Sequence, residues 1–377
     1  MAKVKITGHA SGTGILSVVA PDTDVNRTIT LPDATGTLLN SDGSAASLTA
    51  IPAANITGTL PAIDGSSLTG IVGRRNLIIN GGFDIWQRGT SFTADNVYTA
   101  DRWRSGDGTG GTPARTVSRQ SFTTGQTDVP NEPAYYLRHD QTGAATSGNS
   151  SIVYKIEGVR TGAGQQITLS FYAKQSSTVN HRFRIKQSFG TGGSTGVTHY
   201  DTDHSIGTSW AKTTITTTLP SISGKTIAGG NDSLIIDIEC RSTSTYTFDI
   251  AQVQLEVGSV ATEFEHRSYG EELALCQRYF QHYTDMGTLG ARTTTAVEGS
   301  FTFPTTFRAV PAVVQSTAKG IYDLYGTIFT QSSAHAAYAV GSVDVNGCFL
   351  QFSNFTGLTQ GRVMNPIVGV TQFDAEL

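Results

Sequence analysis

The first aromatic residue of this chain is Phe83, although 33 Phe, Tyr and Trp residues are spread over its 377 positions. Aromatic side chains bury large areas and dominate core energetics. Residues 1–75 therefore carry too little apolar area per copy to offset the entropy of ordering them. Yet Ile, Leu and Val recur there at regular intervals between turn signals. Ser47-Leu48-Thr49-Ala50-Ile51 is echoed by Ser67-Leu68-Thr69-Gly70-Ile71, with Ile56-Thr57-Gly58-Thr59-Leu60-Pro61 between them. Thr28-Ile29-Thr30-Leu31-Pro32 and Gly36-Thr37-Leu38-Leu39 alternate in the same manner. A flexible Gly/Ser/Thr linker is one reading of such a stretch. The regular aliphatic spacing favours another, in which several copies wind together around one narrow apolar axis as an extended stem.

From Asn76 the texture changes. Charged residues are 15% of the chain, against about 25% in an ordinary soluble domain, and Gly, Ser and Thr take their place. Strands joined by polar turns are then the default, and the expected fold class is all-β. Ile167, Leu169, Phe171 and Ala173 alternate with Thr168, Ser170, Tyr172 and Lys174. Phe183 and Ile185 alternate with Arg182, Arg184 and Lys186. Leu234, Ile236, Ile238 and Cys240 form a third stripe. Tyr246, Phe248 and Ile250, then Val253 and Leu255, form a fourth whose phase slips near Ala251, as a β-bulge produces. Such a pattern predicts a two-sheet sandwich or jelly roll over 76–267. A capping box at Ser268-Tyr269-Gly270-Glu271 opens a helix with Leu273, Cys276, Phe280 and Tyr283 on one stripe. That short helix is expected over 268–286, packed on its own sandwich or around an oligomer axis. A smaller β-domain is expected over 287–377.

The formal net charge of −4 leaves no electrostatic footprint for nucleic acid. No apolar run reaches the roughly 18 residues of a membrane span. The N-terminus lacks the apolar segment of a secretory signal, so synthesis and folding in a cytoplasm are expected. Cys240, Cys276 and Cys348 are distant and odd in number, and read as buried small apolar residues. No nucleophile elbow, HExxH or phosphate loop is present, which points away from an enzyme. Tyr172 and Lys174, read as one outward face with Arg182, Arg184 and Lys186, are candidates for an acidic polysaccharide, since planar guanidinium groups suit carboxylates. Trp86, Trp103 and Trp210 each sit in a stretch that reads as framework, so core or interface packing is the favoured role for all three. Stacking on a sugar is the alternative, for which Trp86 and Trp103 are the candidates. Tyr322, Tyr325, Phe329 and Tyr338, with Phe349, Phe352 and Phe355, divide between a terminal core and an exposed far end. His199, Asp201, Asp203 and His204 sit in what reads as a polar loop and are weak metal candidates.

Several of these segments together resemble the tail fibres of tailed bacteriophages. Thr28 to Leu39 resembles a segment near fibre N-termini, and Asp64-Gly65-Ser66-Ser67-Leu68-Thr69-Gly70-Ile71 a stem repeat. Asn76 to Gly89, followed by Ala100-Asp101-Arg102-Trp103, resembles the start of a carbohydrate-binding-module-like jelly roll. Gln254 to Gly258, Thr262 to Glu265 and Cys276 to Phe280 resemble its exit. Phe303 to Pro311 and Asp374-Ala375-Glu376-Leu377 resemble the terminal β-domain. The resemblance implies a homotrimer on the virion, docked on a tail or baseplate protein through residues 1–75 and meeting host polysaccharide or lipopolysaccharide with its distal domains. Modules of this shape often hold a structural Ca2+, for which Asp84 is the candidate ligand. The closing strand reads Ala251-Gln252 where relatives often show acids, which weakens that expectation. A polysaccharide depolymerase and a purely structural tail component are the alternatives.

Overall fold

The computed structural model describes residues 74–106, 114–143, 149–177, 180–241, 244–284, 287–315, 320–323, 325–331, 338–368 and 370–377. Apart from residues 74 and 75, the expected stem lies outside them. No helix among the described residues is long and apolar enough to cross a membrane.

Eleven strands form the first body. They are β1 (Ser91–Phe92), β2 (Trp103–Gly106), β3 (Arg115–Ser121), β4 (Tyr135–Gln141), β5 (Asn149–Glu157) and β6 (Gln166–Gln175), then β7 (Asn180–Ser188), β8 (Val197–Ser205), β9 (Ala211–Thr218), β10 (Ser233–Arg241) and β11 (Tyr246–Val257). They pair antiparallel into a six-stranded sheet, β1-β3-β4-β11-β6-β9, and a five-stranded sheet, β2-β5-β10-β7-β8. The chain is thus all-β in its main architecture, with a jelly-roll sandwich at its centre. Alternation builds the interior. Ile167, Leu169, Phe171 and Ala173 of β6 face Phe183 and Ile185 of β7 and Leu234, Ile236 and Ile238 of β10 in one core. Phe171 stacks on Phe183 across the gap at 5.1 Å, and Trp103 lies between Phe83 and Tyr154. The phase slip in β11 is a bulge between Ala251 and Gln254, with Gln252 at φ +49°.

The opening segment is tied along β11. Leu77 N–H donates to Leu255 O, and Val253 N–H to Gly81 O. A Cβ on Gly81 would stand 2.1 Å from Val253 O, so glycine alone allows this approach.

Helix α1 (Tyr269–Gln277) starts at Ser268, whose hydroxyl accepts the Glu271 N–H. It is shorter than the expected 268–286. Phe280 and Tyr283, placed on the helix stripe by their spacing, lie instead in strand β12 (Phe280–Tyr283), paired with residues 371–374. A ladder partner far along the chain prevails over a marginal helical propensity. Cys276 and Glu272 are buried within their own chain.

The second body continues with β13 (Leu289–Ala291), β14 (Val297–Thr302), β15 (Ala312–Gln315), β16 (Gly320–Asp323) and β17 (Ile328–Thr330), then β18 (Tyr338–Val343), β19 (Gly347–Phe352), β20 (Val363–Val368) and β21 (Thr371–Asp374). A three-stranded sheet, β12-β21-β15, and a seven-stranded one, β17-β16-β20-β13-β14-β19-β18, enclose a separate core. There Phe303 meets Phe307 and Phe373 edge-on, each at 4.8 Å. Cys348 is buried there, as Cys276 is in α1, and both are free thiols.

The last residues of the chain return to the sandwich. Arg102 is buried, lies 3.5 Å over the Tyr279 ring and pairs with buried Glu376. Arg88 stacks on Phe280 and pairs with Asp374 at 3.1 Å and Glu376 at 3.3 Å. Tyr98 Oη and Lys155 Nζ each donate to Leu377 O at 2.9 Å.

Candidate functional site

The outer face of the six-stranded sheet carries the side chains that β4, β6, β9 and β11 do not use for the core. Leu137 points inward, so Tyr136 and Arg138 point outward, and Tyr172 and Lys174 do the same on β6. Asp249, on β11, is opposite Arg138 on one side and Lys174 on the other. Arg138 grips both Asp249 oxygens, Nε–Oδ1 at 2.7 Å and Nη2–Oδ2 at 2.8 Å, and Lys174 Nζ is 4.0 Å from the same carboxylate. This bidentate row fixes a charged floor.

Three aromatic rings stand on that floor. Phe122 lies 4.8 Å from Tyr136 and 5.2 Å from Trp210, and Tyr136 meets Trp210 edge-on at 5.3 Å. Lys174 Nζ sits 5.1 Å from the Trp210 ring. Phe122 follows β3 and Trp210 precedes β9, four strand steps away, about 19 Å on a flat sheet. Contact between them requires the flanking segments to fold over the face. All three rings stay half-buried. Burial, and then the Asp249 carboxylate, push the Tyr136 hydroxyl up, so it remains a donor.

Beside the trio the same face sinks into a cleft of about 140 Å3. Tyr172 and Lys212, direct neighbours across β6 and β9, form one wall. Gln252, Glu263 and Phe264 form another, with Pro130 and Asn131 at the rim. Gln252 donates to Pro130 O at 2.7 Å, which joins the bulge of β11 to the β3–β4 connection. Lys212 Nζ donates to Thr262 O at 3.1 Å. The cleft is smaller than the ~300 Å3 at which drug-sized sites begin, so it takes one edge of a ring rather than a whole ligand. A half-exposed aromatic platform beside a polar notch suits a ring with one apolar face and hydroxyls at its rim.

The sequence-predicted residues divide. Tyr172 and Lys174 belong to this face, but Arg182, Arg184 and Lys186 do not share it. β7 lies in the opposite sheet, so these three point outward from the other side of the sandwich. They are also neutralised there. Arg182 pairs with Asp201, Arg184 with Asp237 and Glu239 at 2.9 Å each, and Lys186 with Asp237 at 2.7 Å. Adjacent strands in sequence were read as one face, whereas a sandwich can send the chain across to its second sheet. Trp103 is fully buried and Trp86 nearly so, donating its indole N–H to Phe83 O. Neither offers a ring to a sugar. Trp210 stays half-buried on the outer face with Phe122, Tyr136 and Arg138, three residues that sequence reasoning passed over. The outward phase of Tyr136 and Arg138, on either side of inward Leu137, is the available signal.

His199, Asp201 and Asp203 lie on strand β8, not in a loop. Asp201 and Asp203 are level with Arg184 and Arg182, His199 bonds to Gln187 at 2.9 Å, and Tyr200 and His204, in the other phase of the strand, bond to each other at 2.6 Å. Burial lowers the basicity of His199 and His204. Asp84 is half-buried, and burial raises its pKa against the pull of His266. No group of three His, Cys, Asp or Glu among the described residues is placed to hold a metal ion. Ala251 and Gln252 bring no carboxylate to the bulge of β11, and Glu272 is the acid whose charge couples to Asp84. In the second body Phe352 and Phe355 are core, and Phe329 packs against it. Tyr322 and Tyr325 are exposed. The side chain of Tyr338 lies outside the described residues.

No family model matches the chain, and no curated protein does. Solved structures overlap parts of it. The enzymatically active domain of tailspike protein 4 from bacteriophage CBA120 overlaps at TM-score 0.31 and 13% identity, over 42% of this chain and 19% of that one. A family 11 carbohydrate-binding module from Clostridium thermocellum, in complex with a β-1,3-1,4-mixed-linked tetrasaccharide, overlaps at 0.30 and 16%, over 46% and 98%. A Stig cyclase from Fischerella overlaps at 0.34 and 14%, over 50% and 98%. At these scores the overlaps carry no argument about what this chain binds.

Proposed function

We propose that the chain is a non-enzymatic glycan-binding protein of a phage tail fibre, a homotrimer whose N-terminal segment docks on the tail and whose globular bodies adsorb to host surface polysaccharide or lipopolysaccharide. The observation that carries the binding role is the half-exposed Phe122–Tyr136–Trp210 platform beside the polar notch at Tyr172 and Lys212. Aromatic faces stack on the C–H face of a pyranose, and Arg138, Lys174 and Lys212 at the rim suit its hydroxyls. The fibre setting rests on the sequence, chiefly the aromatic-free stem and the order of the resembling segments. Three tethered weak sites gain an avidity of roughly 10²–10⁴ over one, which allows reversible search on a glycan-coated cell.

Purified host surface polysaccharide is the probe. Trp210→Ala is expected to weaken its binding roughly tenfold to a hundredfold, about 1.4–2.8 kcal/mol, with the thermal midpoint nearly unchanged. Unaltered binding by that variant overturns the site. Release of reducing ends or unsaturated sugars on prolonged incubation overturns the non-enzymatic reading in favour of a depolymerase.

A further inference from the structure

We propose that Val257, Val260 and Tyr269 form a collar against which a second copy of this chain packs, at the point where each globular body meets its N-terminal segment. The proposal rests on the fibre reading above and adds a surface to it. Large apolar side chains that stay exposed among the described residues gather mainly in two places. One is the collar, where Val257 is 49%, Val260 44% and Tyr269 64% exposed.

The local bonding fixes where this collar stands. Residues 77–81 run antiparallel to β11, Leu77 bonded to Leu255 and Gly81 to Val253. That direction brings residue 75 level with Val257. Arg74 pairs with Glu271 at 3.1 Å, two residues after Tyr269. The backbone N–H groups of Arg75 and Asn76 both donate to Glu265, and Arg267 reaches back to Asn76 O. The chain thus leaves the sandwich through a bonded exit, with Val257 level with residue 75, Val260 three residues further on and Tyr269 two residues before the partner of Arg74.

The occupant follows from what precedes Arg74. Those 73 residues hold no aromatic ring and recur in short aliphatic phrases, which a shared axis between copies can bury. If copies share that axis, the Arg74 residues of all copies start within its width. Whatever surrounds Arg74 is then pressed against its counterpart in the next copy, wherever the rest of each body points. Scattered exposed valines need no explanation. Here the surface obliged to meet itself is the one that is apolar, with the Arg74–Glu271 pair as a polar rim. The second exposed group, Tyr322, Tyr325, Ile328 and Val363, lies in the other body, and nothing indicates what covers it.

Cross-linking tests the collar in the full chain. Val257→Cys, Val260→Cys and Tyr269→Cys are made singly, treated with a short bismaleimide and run on a denaturing gel, with Tyr325→Cys and the unsubstituted chain as controls. Light scattering reports the native mass of each. The expected result is a shift to twice the chain mass for collar variants, since one added thiol per copy links at most two copies, and none for the controls. A native mass of three chains without cross-links at any collar position overturns the collar and leaves the fibre reading standing. A single-chain native mass overturns both.

Discussion

At the scale of single residues, the most consequential side chains are buried charges and imidazoles. Arg102 is fully enclosed, and its carboxylate partner among the described residues is Glu376. Removing one partner of a buried pair leaves the other charged and dry. Glu376→Ala should therefore cost roughly 3–5 kcal/mol of stability, read as a lowered urea midpoint. Replacing both together, Arg102→Met with Glu376→Leu, should recover much of that loss; a single variant with an unchanged midpoint would refute the assignment. His139 and His181 are also fully enclosed, bonded to Ser150 Oγ at 2.8 Å and Gln175 Oε1 at 2.7 Å. Burial, with Arg115 and His181 adding to it, pushes His139 down to about 3, and burial pushes His181 down to about 4. Above about pH 6.5 both states hold these rings neutral. Below it the unfolded chain takes up protons that the folded chain refuses, so stability is lost as pH falls from about 6.5 toward 4. The slope is roughly 1.4 kcal/mol per pH unit for each ring. Melting His181→Gln from pH 7.5 to 4.5 should give a shallower decline than the parent, and equal slopes would contradict the burial. Neither histidine stands out in the sequence, because alternation shows which phase is inward but not which polar residues it carries inside.

At the scale of elements, alternation was a good guide to strands and a poor guide to their neighbours. The stripes of β6, β7, β10 and β11 and the slip in β11 are legible residue by residue. The assignment of β6 and β7 to opposite sheets is not, since both phases read alike whichever sheet a strand joins. That ambiguity placed Arg182, Arg184 and Lys186 beside Tyr172. The helix shows the complementary failure, because spacings of three and seven residues place Phe280 on a helical stripe, while its actual partner, Asp374, lies 94 positions on. The opening segment adds a testable case. A methyl at position 81 meets the Val253 carbonyl, so Gly81→Ala should part residues 76–81 from β11 and cost about 2 kcal/mol or more. Hydrogen exchange should then accelerate at Leu77 and Val253; unchanged protection there would show that the backbone accommodates the methyl elsewhere.

For the whole molecule, the fibre reading predicts a native mass of about three times 39.9 kDa, measured by light scattering, and a single-chain mass contradicts it. The sequence made the all-β class legible, since alternating stripes and polar turns recur from residue 76 onward. It did not reveal how the second body is fastened. Deleting 287–377 removes β21, which pairs with β12, takes Glu376 from Arg102 and takes Asp374 and Glu376 from Arg88, which keeps Asp101. Such a truncation therefore damages the sandwich as well as removing the distal body, and lost adsorption after it does not locate the receptor site.

The pairing of Arg102 with Glu376 also sets a schedule. A ribosome delivers Arg102 some 274 residues before its counterion, so the nascent sandwich must keep that guanidinium wet, its edge unsealed, until residue 376 has been made. The sandwich is thus completed by a closure rather than an extension, and chains that stop short of residue 376 should be held by chaperones and cleared by proteases.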